Sequence, residues 1–114
     1  SRSGRGQTVI GDFVTIGHRA LIHACTINSQ SFVGMGAIIM DGSILESNSM
    51  VAAGSVVTPG KRIHSGQLWA GCPATYLRNL TKEEIKNNRE TADHYVLLSA
   101  QYDKGILWKE DQSK

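Results

Sequence analysis

The chain has 114 residues, a hydrophobic content of 40% and a formal net charge of +2, enough apolar material for one domain around a single core. Lys and Arg are scattered without a basic stripe, which argues against a nucleic-acid partner. No apolar run approaches the roughly 18 residues that span a bilayer and the first residues lack a signal-peptide core, so a soluble protein with no membrane partner is expected.

In chain order, Ser1 to Gly6 are polar and glycine-bearing, so residues 1–7 read as a loop. From Val9 to Thr58 an aliphatic residue then returns almost every six positions: Ile10, Ile16, Ile22, Ile27, Val33, Ile39, Leu45, Val51 and Val57, with one five-residue step from Ile22 to Ile27. Period six is neither a helix nor an ordinary strand. It predicts a mainly β fold, a parallel hexapeptide-repeat solenoid shaped as a triangular prism, in which each unit supplies one flat side and a corner and stacked neighbours bury what one unit alone cannot.

Two residues before each aliphatic stands a small or slender one: Thr8, Val14, Ala20, Cys25, Ser31, Ala37, Ser43, Ser49 and Ser55. Both series share one face of a strand, and together they fill a narrow interior, which makes Cys25 a core thiol. With only Cys25 and Cys72, the spacing fits neither a zinc ribbon nor a disulfide framework, and a reducing compartment is expected. Three residues after the aliphatic in the later turns come Gly36, Gly42, Asn48, Gly54 and Gly60, residue types that accept a left-handed backbone at corners. Three sides of six residues make a coil of about 18, coils stack about 4.8 Å apart, and nine sides give three coils. The outward residues sort as Val9, Thr26 and Ile44 on the first side, Thr15, Phe32 and Met50 on the second, and Leu21, Ile38 and Val56 on the third. An apolar outward face on so short a stack predicts burial against other subunits, in a homotrimer with third sides toward its axis.

Coils and exit segment together cover residues 8–80. The segment around Pro73 is expected to leave the stack. Thr81 and Glu84 then form a capping box that starts a C-terminal α-helix over residues 81–105, closed by Gly105. Ile85, Ala92, Tyr95, Val96, Leu98 and Ala100 form no single stripe, so this helix is expected to touch two surfaces. Residues 106–114 read as a tail whose last residues, KEDQSK, are disordered.

His18 follows the second side of the first coil and His23 the third. Five strand-like steps separate them by on the order of 15 Å, too far for one ion with His bonds of about 2.0 to 2.1 Å. In the expected trimer, the His18 corner of one subunit meets the His23 corner of the next at equal height. An open catalytic zinc site takes three protein ligands. The third is expected one coil below His23, where Arg5 and Gly6 are unsuited, and so before Ser1, in N-terminal coils that the chain lacks. Met35 is placed one coil above His18, on the pocket wall. His64 and His94 have no partner at ligand spacing, Asp41 reads as a corner residue, and Trp69 is expected to cover the end of the solenoid.

GDFVTIGHRALIHACTI, followed by FVGMGAIIMDG, MVAAGSVVTPGKRI and the ADHYV stretch, resembles the gamma-class carbonic anhydrase family and its bacterial and mitochondrial relatives, from about Val9 to Tyr102. The resemblance implies a left-handed β-helix trimer with Zn2+, or another divalent metal such as Fe or Co, between subunits. It carries two metal ligands onto His18 and His23 as matched in GHRALIH. It also implies reversible hydration of carbon dioxide to bicarbonate, zinc lowering the pKa of water so that hydroxide attacks, and a cytoplasmic or mitochondrial-matrix setting. Tyr95 is the candidate for orienting substrate or water. The family's first zinc histidine, its pocket arginine and glutamine, and the acidic shuttle loop have no counterpart in this sequence. Two other readings stand beside this one. AGCPATYLRNL is also similar to endings of hexapeptide acyltransferases that use acyl-CoA, and some family members are catalytically silent trimeric subunits.

Overall fold

In the computed structural model the described residues are 7–92, 101–102 and 106–108. The chain runs through β1 (Thr8–Ile10), β2 (Thr15–Ile16), β3 (Leu21–Ile22), β4 (Thr26–Ile27), β5 (Phe32–Val33), β6 (Ile38–Ile39), β7 (Ile44–Leu45), β8 (Met50–Val51) and β9 (Val56–Val57). It continues with β10 (Arg62–Ile63), β11 (Gln67–Gly71), β12 (Ala74–Asn79), α1 (Lys82–Ala92), β13 (Gln101–Tyr102) and β14 (Ile106–Trp108).

Three parallel sheets form the sides of a prism. Their orders are β10-β7-β4-β1-β14, β12-β11-β8-β5-β2 and β13-β3-β6-β9. Val9 pairs with Thr26 and Thr26 with Ile44; Thr15 pairs with Phe32 and Phe32 with Met50; Leu21 pairs with Ile38 and Ile38 with Val56. These are the three outward columns that the six-residue period predicts. The aliphatic series lies inside with Ile10, Ile22, Ile27, Val33, Ile39, Leu45, Val51 and Val57 fully buried, each such side chain contributing about 1.5–3 kcal/mol of burial.

The small series fills the space between, and its hydroxyls are tied to the backbone. Ser31 Oγ donates to Glu46 O at 3.0 Å, Ser43 Oγ to Thr58 O at 2.9 Å, and Thr8 Oγ1 accepts Ala24 N–H at 2.9 Å. That bonding is why polar residues are tolerated in so dry a column. Gly36, Gly42, Asn48, Gly54 and Gly60 all have positive φ, and in the first turns the same corner conformation falls to Phe13, Arg19, Ala24 and Gln30.

Several expectations are corrected. The stack does not end at the ninth side: β10 adds a rung to the first sheet and β11 to the second, with Ile63 fully buried and Trp69 packed on the core. The exit segment is an antiparallel hairpin, β11 against β12, turning through a cis Cys72–Pro73 peptide. Helix α1 does begin at the capping box, Thr81 N donating to Glu84 Oε1 at 2.8 Å and Glu84 N to Thr81 Oγ1 at 3.1 Å.

Within the described residues α1 covers Lys82–Ala92, whereas Gln101–Tyr102, expected in the helix, pair in parallel with β3, and Ile106–Trp108, expected in the tail, pair with β1. Paired strands give each other's backbone N–H and C=O groups hydrogen-bonding partners. The two strands thereby add to the first and third sheets, beside β1 and β3. Among the described residues, no helix is long and apolar enough to cross a membrane.

Candidate metal centre

Both candidate histidines stand on corners of the first coil whose backbone the next coil holds. At the β2 corner, a Cβ on Gly17 would lie 2.7 Å from Met35 N, so only glycine permits this approach. His18 follows, its carbonyl accepting Gly36 N–H at 2.8 Å, and Arg19 makes the turn at φ 62°. The His18 ring is exposed. It stands at a groove of about 350 Å³ lined by Thr15, Gly17, His18, Phe32, Met35 and Met50, among others.

Helix α1 lies beside this groove. Asn88 Nδ2 is 3.9 Å from Met50 Sδ, and the Arg89 guanidinium sits 4.3 Å over the Phe13 ring. Thr15 is 3% exposed, and its Oγ1 is buried with no hydrogen-bond partner among the described residues.

At the β3 corner, His23 N–H donates to Ile39 O at 3.0 Å. Here the five-residue step has a consequence. The first coil turns with His23 and Ala24 between Ile22 and Cys25, whereas the second coil uses Met40, Asp41 and Gly42 between Ile39 and Ser43. The additional residue lies over His23, and His23 Nδ1 is 2.5 Å from Asp41 Oδ1, with the two side chains 50% and 64% exposed. A carboxylate only accepts, so the proton of this bond belongs to Nδ1, and in the neutral ring the lone pair is then on Nε2. Ala24 adopts φ 51° to close the shortened corner.

Among the described residues, no three metal-ligating side chains gather within the single chain, in keeping with two histidines placed on separate corners. His64 lies away from both, on the last coil, with Nδ1 3.3 Å from Glu46 Oε2. Glu46 also accepts Arg62 Nε–H at 2.6 Å and Ser65 N–H at 3.0 Å. The Arg62 bond, then the Ser65 bond, holds this carboxyl below the usual carboxylate range. Tyr95 and His94 lie outside the described residues.

Two groups were not singled out from the sequence as site residues, Asp41 and Thr15. Asp41 was detectable, since it stands 18 residues beyond His23, one more than the 17-residue coil from Ile22 to Ile39, at the corner the five-residue step shortens.

No family model matches the chain. Over 92 residues, 81% of the chain, it is 50% identical to gamma carbonic anhydrase 2, mitochondrial, from Arabidopsis thaliana, covering 33% of that protein. It is 49% identical over 92 residues, 81% of the chain, to a probable carbonic anhydrase of Methanocaldococcus jannaschii, covering 58% of it. With protein YrdA of Escherichia coli the identity is 43% over 93 residues, 82% of the chain and 50% of the relative. Thus the chain spans about a third to just over half the length of these relatives. Among solved structures, a hexapeptide transferase family protein from Anaplasma phagocytophilum superposes with a TM-score of 0.72 at 48% identity, over 81% of this chain and 60% of that one. A putative acetyltransferase of Bacillus cereus gives 0.71 at 33% identity, over 75% and 55%.

Proposed function

We propose that this chain, which belongs to the gamma-carbonic-anhydrase-like hexapeptide-repeat proteins, forms part of a zinc-dependent carbonate dehydratase that interconverts carbon dioxide and bicarbonate at a subunit interface. The observation that carries this reading is the pair of exposed imidazoles on successive corners of the first coil, in a segment half identical to a named gamma carbonic anhydrase.

Their chemistry fits a borderline-soft divalent ion: neutral imidazole is a usual zinc ligand, and a carboxylate on the second ring nitrogen is the usual companion of a ligating histidine. His18 and His23 would hold the metal from adjacent subunits of a homotrimer, with a third ligand N-terminal to Ser1. Zinc, when bound, lowers the pKa of a water molecule so that hydroxide can attack carbon dioxide at neutral pH.

The chain's own residues then do the following. The corner backbones are held by the next coil, which fixes where the two imidazoles start from. Met35 and the neighbouring apolar wall exclude bulk water, and Tyr95 orients substrate or water through its hydroxyl. Cytoplasm and mitochondrial matrix are both compatible settings.

The test is metal analysis and stopped-flow hydration on the protein with its full natural sequence. About one zinc per subunit is expected. His18→Ala should lose the metal and the hydration while the trimer persists, because an exposed corner side chain contributes little to stacking; Tyr95→Phe should slow hydration with metal retained. Loss of the trimer in His18→Ala would make that histidine architectural. A second reading, an acyl-CoA-dependent acyltransferase, is favoured by the two transferase-like structures above, and acetyl-CoA binding without metal would support it. Metal without hydration would favour a silent trimeric subunit.

A further inference from the structure

The bond between His23 and Asp41 joins successive coils at the one corner where they differ in length. Met40 carries the strand phase onward and Gly42 makes the left-handed turn at φ 75°, so Asp41 is the residue that the longer corner adds. Gly42 N donates to Ala24 O at 2.7 Å and Met40 N to Val57 O at 3.0 Å, which holds the backbone on both sides of Asp41. Both side chains are at least half exposed, and an exposed ion pair of this kind contributes little stability.

We infer that Asp41 is a positioning residue: by accepting the Nδ1–H of His23 it fixes the ring in the tautomer whose lone pair is on Nε2, and so prepares His23 to bind a divalent cation through Nε2. The inference rests on the reading of His23 as a ligand, but the tautomer itself is a property of the metal-free protein. Without the carboxylate the Nδ1–H loses this acceptor, and loss of such an outer partner weakens metal binding by roughly 10- to 100-fold.

Two measurements on the native oligomer test this, with the His23 signal assigned by its loss in His23→Gln. Long-range proton–nitrogen correlation spectra of the metal-free protein should show His23 protonated at Nδ1 in the wild type and shifted toward the Nε2–H form in Asp41→Ala. In Asp41→Asn the amide oxygen still accepts, and the wild-type tautomer should largely persist. Competition titration of zinc against a chelator should then give a dissociation constant roughly 10- to 100-fold weaker for Asp41→Ala and a smaller loss for Asp41→Asn, with melting temperatures unchanged. A wild-type His23 protonated at Nε2, or an Asp41→Ala protein with wild-type zinc affinity, overturns the inference. If the wild type binds no zinc, the metal-site reading falls and takes the ligand half of the inference with it, while the tautomer measurement still decides whether Asp41 orients the ring.

Discussion

Glycines in this solenoid serve two separate purposes, and the residues next to them show which. Gly36 turns a corner at φ 69° with nothing near the place of a Cβ, whereas Gly34 has no such φ but a Cβ there would stand 2.5 Å from Ala53 N on the next coil. Replacing Gly36 by Ala costs the left-handed penalty of roughly 1 kcal/mol. Replacing Gly34 by Ala forces two stacked backbones apart, an overpacking of roughly 3 kcal/mol. Denaturant midpoints should thus rank wild type above Gly36→Ala and Gly36→Ala above Gly34→Ala; an equal or larger loss at Gly36 would show that corner strain, rather than coil spacing, limits stability. Arg19 and Ala24 already bear corner strain beside His18 and His23, which is where strained backbone is commonly retained for function.

Helix α1 depends on its first turn more than on its surface pattern. Arg78 donates from both terminal nitrogens to Glu84 at 2.8 Å each, and Glu84 in turn accepts Thr81 N–H. First the Arg78 bond and then the Thr81 bond hold the Glu84 carboxyl down at about 2, against an ordinary 4.5. The carboxylate is therefore the form that the folded state favours. Its stabilisation is fully present above about pH 4.5 and is lost as pH falls through about 2. Because the pair with Arg78 lies at the surface, the effect is small. The difference in melting temperature between wild type and Glu84→Gln should be constant above pH 4.5 and shrink toward zero near pH 2. A difference that persisted at the acid end would mean that Gln disturbs the helix start by some means other than charge.

The exposed third side has its consequence for the whole molecule. Leu21 is 43% exposed, and Ile38 and Val56 above it are half-buried, so the column of β3, β6 and β9 presents aliphatic carbon outward. If this face packs at the proposed threefold contact, Leu21→Asp should convert the trimer to monomers in sedimentation equilibrium, and with it abolish metal binding, since His18 and His23 would no longer meet. A trimer that survives Leu21→Asp with its metal places the contact elsewhere. The sequence by itself determined the prism, its three columns, its corners, its buried series and the start of α1. Each of those follows from local periodicity or local capping, which neighbouring coils merely repeat. Only the tertiary structure decided that the stack runs on through Ile63 and Trp69, that β13 pairs with β3 and β14 with β1, and that Asp41 reaches His23. Those contacts join segments far apart in the chain and depend on how two corners of unequal length overlie one another, which the six-residue period alone does not fix.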